Sequence, residues 1–455
     1  MGGAQVVSLA AGFVRAKVVA MVFGASGIGL IGVLNSFSGN ISSFVAWGLS
    51  ASGVRVIAGA SEAERPVRVS AVRYLGRWLS WLGLAVALIL FWPMGRVTFA
   101  SDEYTLELAI AGLAVPCVVA SAAWSAILQS TGQLKTLAKI QVFGAFAGLL
   151  LGLPLIYFGG TFGVALSILL AAAVLAAALW QAARRHYPAD SVPANAADIR
   201  QLLHLGGALM AVGWLAQLSS YLVRLTIIRG YGLESAGHYQ AAFAIAGNLG
   251  GFVIVAMGAD FFRRISEARD EKEAAHLAEK QIQAGLLLGL PLLAGLLTMG
   301  RFCLHLLYAD SFDAAIPLLS WMVWGIFLRL IAWPLGYWLL ARGSTSAVVV
   351  SEATVNAVMV VLPLILTPDF GLLGAALGFC GSYVIYAGLM IGFARWRSGI
   401  WLSAPTWLSI AGATCVLLLA QISVAHTEGL YWGLLPTALI ALGCAWIYRR
   451  TLRQS

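Results

Sequence analysis

FGASGIGLIGVLNSFSGN at residues 23–40 and YGLESAGHYQAAFAIAGN at residues 231–248 are one pattern written twice. With Gly24 set on Gly232, Gly29 falls on Gly237, Gly39 on Gly247 and Asn40 on Asn248, and Phe23 faces Tyr231. Upstream, Arg15 and Arg224 come within one residue of correspondence. Matched glycines alone mean little in a chain with 50 of them. The shared position between apolar runs and the shared upstream arginine give the match its weight, and internal repetition of this kind marks a duplicated architecture.

Working outward, apolar runs of about 20 residues recur along the chain, each able to cross a hydrocarbon layer of about 30 Å. Fourteen spans are expected, or twelve if the last pair does not cross. The first half holds 2–23, 28–54, 73–95, 106–128, 137–158 and 162–182. The second holds 204–230, 235–259, 282–303, 313–341, 346–366 and 370–394, with a final pair at 403–424 and 428–448. Six spans per half give both halves the same orientation, so they are parallel repeats. The expected fold is an all-α polytopic membrane protein: two six-helix lobes around a central cationic cavity, plus two C-terminal helices. The lobes are 1–182 and 204–396, joined by a cytoplasmic linker at 183–203, and 397–455 carries spans 13 and 14 and a basic tail.

Composition agrees. Of 455 residues 60% are hydrophobic and 10% charged, with a mean hydropathy of +0.88, against about 25% charged in soluble domains. The net charge of +9 does not point to nucleic acid, because its distribution follows the spans. Arg55, Arg65, Arg68, Arg73 and Arg77 follow span 2; Lys135 and Lys139 follow span 4; Arg184, Arg185 and Arg200 follow span 6. The same end collects Arg263, Arg264, Arg269, Lys272 and Lys280, then Arg342, Arg395, Arg397 and the terminal Arg449, Arg450 and Arg453. The opposite loops carry Arg96 and Arg301 among Asp102, Glu103, Asp310, Asp313, Asp369 and Glu428. The positive-inside rule then places both termini in the cytoplasm, with the bacterial inner membrane as the expected location. The first span begins almost at Met1, without a cleavable signal peptide, and a few preceding cytoplasmic residues are expected.

Four cations break the apolar runs: Arg15, Lys17, Arg224 and Arg329. Each costs roughly 2.5–3.5 kcal/mol at the bilayer centre, and no acid lies at the same depth in sequence. Glu352 is the one acid well inside a span, near its cytoplasmic end. Arg15 lies about 13 Å from the outer boundary and Arg224 about 12 Å, at 1.5 Å per residue. Gln5, Ser8, Gly12 and Arg15 share one helix face, as do Gly213, Gln217, Ser220, Tyr221 and Arg224. Facing an anionic ligand is one reading; pairing with freed backbone carbonyls, or snorkelling, is the other. Lys17 points about 200° away from Arg15 on a helix, and packing between helices suits it as well as substrate contact does. Arg329 precedes Pro334, whose missing N–H frees a nearby carbonyl. Arg229, at the outer boundary, reads as an interface anchor.

Span 2 carries Asn35, Ser36, Ser38, Asn40, Ser42 and Ser43, and span 8 carries Tyr239, Gln240 and Asn248. These groups suit sugar hydroxyls and equally suit helix association. The candidate substrate-binding residues are therefore Arg15, Arg224, Arg329, Lys17, Asn40, Gln217, Gln240 and Asn248. No P-loop appears and no metal-ligand spacing appears, so neither cofactor nor metal is expected. The five cysteines fall in or at the ends of spans as small hydrophobes. SEARDEKEAAHLAEK at 266–280 reads as a solvated amphipathic helix. The outer loops are too short to hold a catalytic domain, which argues against a membrane enzyme.

VRAKVVAMVFGASGIGLIGVLNS (14–36), RLTIIRGYGLESAGHYQAAFAIAG (224–247), MGADFFRRISEARD (257–270) and RLIAWPLGYWLLARG (329–343) together resemble a known family. It is the Wzx-type polysaccharide flippases of the multidrug/oligosaccharidyl-lipid/polysaccharide exporter superfamily, nearest in kind to those for O-antigen and enterobacterial common antigen. The resemblance covers about residues 1–395, and spans 13 and 14 are extra for many such proteins. It implies a glycan on an undecaprenyl pyrophosphate carrier, moved from the cytoplasmic to the periplasmic leaflet by alternating access. Its cationic cavity maps onto Arg15, Arg224 and Arg329. Membrane lipids, a glycan polymerase and a chain-length regulator are the implied partners. A peptidoglycan-precursor flippase and a cation-coupled drug exporter are rivals within the superfamily; the missing mid-membrane acid disfavours the second.

Overall fold

A computed structural model of the chain describes residues 2–187, 193–399 and 401–425. The expected span at 428–448 lies outside the described residues. Backbone groups in hydrocarbon must be satisfied within the chain, which leaves helices as the means of crossing for a sequence of this pattern. Among the described residues the elements are helical, with no strand. In chain order they are α1 (Gly2–Val45), α2 (Leu49–Ala58), α3 (Arg65–Phe99), α4 (Thr105–Leu113), α5 (Val115–Ser130) and α6 (Leu134–His186). There follow α7 (Ala196–Ser266), α8 (Glu271–Leu307), α9 (Ile316–Ala341), α10 (Thr345–Phe370), α11 (Leu372–Ser398) and α12 (Ala404–Ala425). Nine helical stretches among the described residues are long and apolar enough to cross a membrane.

Three helices are too long for one crossing because each joins two spans through a glycine. Gly24 breaks α1 (φ 62°, ψ −154°), Gly160 breaks α6 (φ 61°, ψ −147°) and Gly232 breaks α7 (φ 83°, ψ 173°). Gly371, between α10 and α11, has φ 59° and ψ −145°. A side chain makes this backbone region essentially inaccessible, so only glycine holds such a turn. The chain doubles back tightly: a Cβ on Gly163 would lie 1.8 Å from the Leu155 carbonyl oxygen. Gly24 and Gly232 are the pair matched in sequence. Gly160 and Gly371 form a second pair that the sequence reading did not single out, between spans 5 and 6 and between spans 11 and 12.

A shorter break separates α4 from α5 at Ala114, with Pro116 in the first turn of α5. Proline lacks the N–H that would carry the α4 ladder onward. Ala114 keeps helical backbone angles (φ −75°, ψ −23°), and Thr105–Ser130 remains one stretch long and apolar enough for a span.

The chain divides into two compact units, residues 1–237 and 238–455. In the first, Leu30, Leu34 and Phe37 of α1 are fully buried, and Leu128, Leu137, Leu179 and Ala183 form a cluster joining α5 to α6. Matched repeat positions touch reciprocally here. A Cβ on Gly29 would meet the Leu233 carbonyl oxygen at 2.3 Å, and one on Gly237 would meet that of Ala25 at 1.8 Å. In the second unit α9 is buried along most of its length, including Met322, Val323, Ile326 and Leu330. Gly289 of α8 and Gly325 of α9 admit Leu330 and Phe379 against the backbone.

Glu279 differs from its expected solvated position. It is 7% exposed, and its carboxylate accepts from the Ser403 N–H at 3.0 Å, the Thr406 hydroxyl at 2.8 Å and the Ser403 hydroxyl. Gln283 donates to Thr406 at 3.1 Å. The carboxylate thus sits on the first turn of α12, where free N–H groups and the helix dipole favour an anion. The preceding loop ends at Asp270, whose side chain caps α8 through the Glu273 N–H.

Candidate functional site

The most enclosed of the four intramembrane cations is Arg224, on the first half of α7, 7% exposed. Its guanidinium Nη1 donates to Ser36 Oγ at 2.7 Å and to the Ser220 hydroxyl at 2.8 Å and carbonyl at 3.0 Å. Ser36 is on the second half of α1, so Arg224 ties α7 to α1. One turn further along the same contact, Asn40 Nδ2 donates to the Gln217 carbonyl at 3.2 Å and to the Ser36 carbonyl at 2.8 Å. The Asn40 Oδ1 is buried without a partner. Gln217 is itself exposed, and its amide lies 3.1 Å from where a Cβ on Gly39 would be. Arg224 and Gln217 of span 7 and Asn40 of span 2 are therefore brought together with Ser36 and Ser220.

Arg15 and Lys17 lie on the first half of α1 in the same unit, both half-buried. Arg15 makes no hydrogen bond or ion pair with the described residues. A guanidinium with five donors held in an apolar span without protein acceptors is an open demand for an anion.

Gln240, Asn248 and Arg329 belong to the second unit. Gln240 and Asn248 are half-buried on α7. Arg329 on α9 lies with its guanidinium 5.8 Å from the centre of the Tyr383 ring. Tyr383 packs edge-on to Tyr386 at 6.1 Å, and the Tyr386 hydroxyl donates to Glu352 Oε1 at 2.7 Å. Arg329 and Glu352 thus flank one pair of tyrosines, an arrangement that makes Arg329 part of an internal polar cluster.

Sequence reasoning missed two partners of this region. Tyr221 is buried against Thr98 of α3, hydroxyl to hydroxyl at 2.6 Å. Arg229 does not merely anchor at the interface: it donates to the Val97 and Arg96 carbonyls at 2.6 and 3.0 Å. The Arg96 carbonyl also accepts from the Ala100 N–H that ends α3, and the Val97 carbonyl lies in the last turn, where intrahelical donors run out, so Arg229 caps that helix and ties it to α7.

Among the described residues no cluster of His, Cys, Asp or Glu could hold a metal ion. The site's chemistry is hydrogen bonding and positive charge, suited to binding an anion and its polar attachment.

A family model described as "Polysaccharide biosynthesis protein" matches residues 18–317, well over half of the chain. The chain belongs to this family. Among curated proteins it is 23% identical over 181 residues to a protein of Escherichia coli (strain K12) named "Lipid III flippase". An equal match exists to the protein of that name in Shigella flexneri. Each match spans 39% of this chain and 42% of the relative.

Among solved structures, one titled "Lipid II flippase MurJ, inward closed conformation" aligns over 99% of this chain and 98% of its own, with a TM-score of 0.79 and 15% identity. An inward-facing multidrug resistance MATE family transporter of the MOP superfamily aligns over 91% of this chain and 96% of its own, with a TM-score of 0.68 and 14% identity. The chain therefore shares the helical fold of these solved structures, and it is a multi-pass membrane protein.

Proposed function

We propose that the protein is a flippase for a lipid-linked glycan precursor, carrying it from the cytoplasmic to the outer leaflet of the bacterial inner membrane. The observation that carries this reading is Arg15, a cation in an apolar span with no partner among the described residues. Arg224 is its repeat counterpart on a polar helix face. Such groups suit a phosphate-bearing substrate, since guanidinium donors pair in a fork with phosphate oxygens. Exposed Gln217 and buried Asn40, with its unpartnered Oδ1, supply hydrogen-bonding groups of the kind that sugar hydroxyls require. The site opens alternately to the two sides. A ligand drives that change only through differential binding to the two states.

Within this reading the favoured cargo is an O-antigen or enterobacterial-common-antigen-like oligosaccharide on undecaprenyl pyrophosphate. The family description and the partial likeness to lipid III flippases support it. A second reading, a peptidoglycan-precursor flippase, is supported by the fold likeness to a lipid II flippase along nearly the whole chain.

The test is leaflet-to-leaflet transfer in proteoliposomes of labelled undecaprenyl-pyrophosphoryl oligosaccharide, with lipid II in a parallel set. Transfer of the first by the wild type, lost in Arg15→Gln, is the expected result. Transfer of lipid II alone would establish the second reading. Transfer of neither, with efflux of a cationic dye, would overturn both.

A further inference from the structure

Away from these arginines the first unit carries a cavity of about 590 Å³ on its outside, between α3, α5 and α6. Its lining is graded along its length. At one end are Arg73, Arg77 and Arg184, beside Trp124 and Trp180. At the other are Leu84, Leu113, Pro116 and Ala120. No described lining residue is acidic.

The gradient follows from helix geometry. Arg73, Arg77, Ser80 and Leu84 of α3 stand at successive turns of one face. From Arg73 to Leu84 the helix rises about 16 Å, close to the depth of one leaflet of a core about 30 Å thick. α5 runs the other way beside it, Trp124 at the basic end and Pro116 at the apolar end. Gly76 brings α3 against α5: a Cβ there would lie 2.6 Å from that of Ala123.

Two of the arginines lie against aromatic rings at the rim of the cavity, Arg73 half-buried and Arg184 exposed. The Arg73 guanidinium lies 5.7 Å from the Trp124 ring centre, and that of Arg184 lies 4.9 Å from the Trp180 ring centre. Arg73 also donates to the Tyr187 carbonyl. A belt of interfacial anchors would present such side chains on a convex surface. Here they rim a concavity that continues downward as an apolar trough.

We propose that this cavity is a binding site for an anionic phospholipid of the cytoplasmic leaflet. The phosphodiester sits among Arg73, Arg77 and Arg184, and an acyl chain lies along Leu84, Leu113, Pro116 and Ala120. Basic pockets between transmembrane helices at the cytoplasmic side select anionic headgroups in this way. The leaflet follows from the charge distribution of the loops; the site does not depend on what the protein transports.

Native mass spectrometry of the delipidated full-length protein in neutral detergent tests this. Phosphatidylglycerol, phosphatidylcholine and inorganic phosphate are each added at equal concentration. The expected result is retention of phosphatidylglycerol about tenfold above phosphatidylcholine, with no competition from inorganic phosphate. The variant Arg73→Gln/Arg77→Gln/Arg184→Gln should lose the preference. Ala120→Phe, which fills the trough and leaves the arginines in place, should lower retention without altering the fold. Equal retention of the two lipids overturns the proposal, as does competition by inorganic phosphate. Should the triple variant fail to fold, undiminished retention by folded Ala120→Phe overturns it.

Discussion

Arg15 and Arg224 were legible because an unneutralised cation in an apolar run is costly enough to demand an explanation from sequence alone. Their partners were only half legible. Ser36, Ser220 and Gln217 were visible as polar stripes, but that Ser36 would receive Arg224 depends on how α7 crosses α1, which no local pattern encodes. Thr98 behind Tyr221 and the α3 carbonyls behind Arg229 are invisible for the same reason. The arginine's bonds also show what its removal would leave. Ser36 keeps a bond to the Gly32 carbonyl at 2.7 Å, so Arg224→Ala does not orphan it. Arg224→Ala should insert and fold normally, and a hydrogen bond to a charged group, worth about 1.5–3 kcal/mol, should be lost from substrate binding or from the α1–α7 contact. Transfer rates in proteoliposomes should fall about tenfold or more where the bond serves the cargo, whereas a lowered unfolding temperature in detergent with transfer retained would assign it to the α1–α7 contact. Arg15→Lys should retain part of the activity that Arg15→Gln abolishes, because charge survives while the planar fork does not. If Arg15→Gln and wild type transfer equally, Arg15 does not meet the cargo.

At the scale of elements, glycine governs where spans reverse. Gly24 and Gly232 could be matched because their flanks still resemble each other, whereas Gly160 follows Phe158-Gly159 and Gly371 follows Phe370 directly, so that pair emerged only from its shared backbone angles. Alanine at Gly232 or Gly371 should cost about 1–3 kcal/mol of backbone strain, read as a lowered unfolding temperature. Gly237→Val meets a backbone oxygen rather than a movable side chain, and should lose folded protein outright on size exclusion. Glu279 makes a different prediction. Its carboxylate gathers three donors at the start of α12, and the sequence hid this because 266–280 carries the alternating charge of a solvated helix. Glu279→Ala should leave buried donors unsatisfied at about 1–3 kcal/mol and loosen α12 from α8. Limited proteolysis between Ser398 and Ser403 should accelerate in that variant. Unchanged cleavage would mean that apolar packing of α12 suffices without the carboxylate.

For the whole molecule, span number and charge asymmetry carry the fold together, since Lys and Arg collect at the even-to-odd junctions and are scarce at the odd-to-even ones. That regularity is a consequence of insertion, which reads loop charge rather than tertiary structure, and so orientation is the property a sequence of this kind exposes most directly. How the halves move is the property it exposes least, because alternating states differ by packing energies that no residue type announces. The orientation admits a direct measurement. In a background with the five native cysteines replaced by serine, Glu62→Cys sits in the loop between α2 and α3, and Glu103→Cys in the loop between α3 and α4; both positions are exposed. With the charge rule fixing the first loop in the cytoplasm, a membrane-impermeant maleimide that reaches the periplasm should label Glu103→Cys in intact cells. It should label Glu62→Cys only after the inner membrane is opened. The reverse pattern would place Arg55, Arg65, Arg68, Arg73 and Arg77 outside. The direction of transport, and the leaflet assigned to the basic cavity of α3, α5 and α6, would then both be inverted.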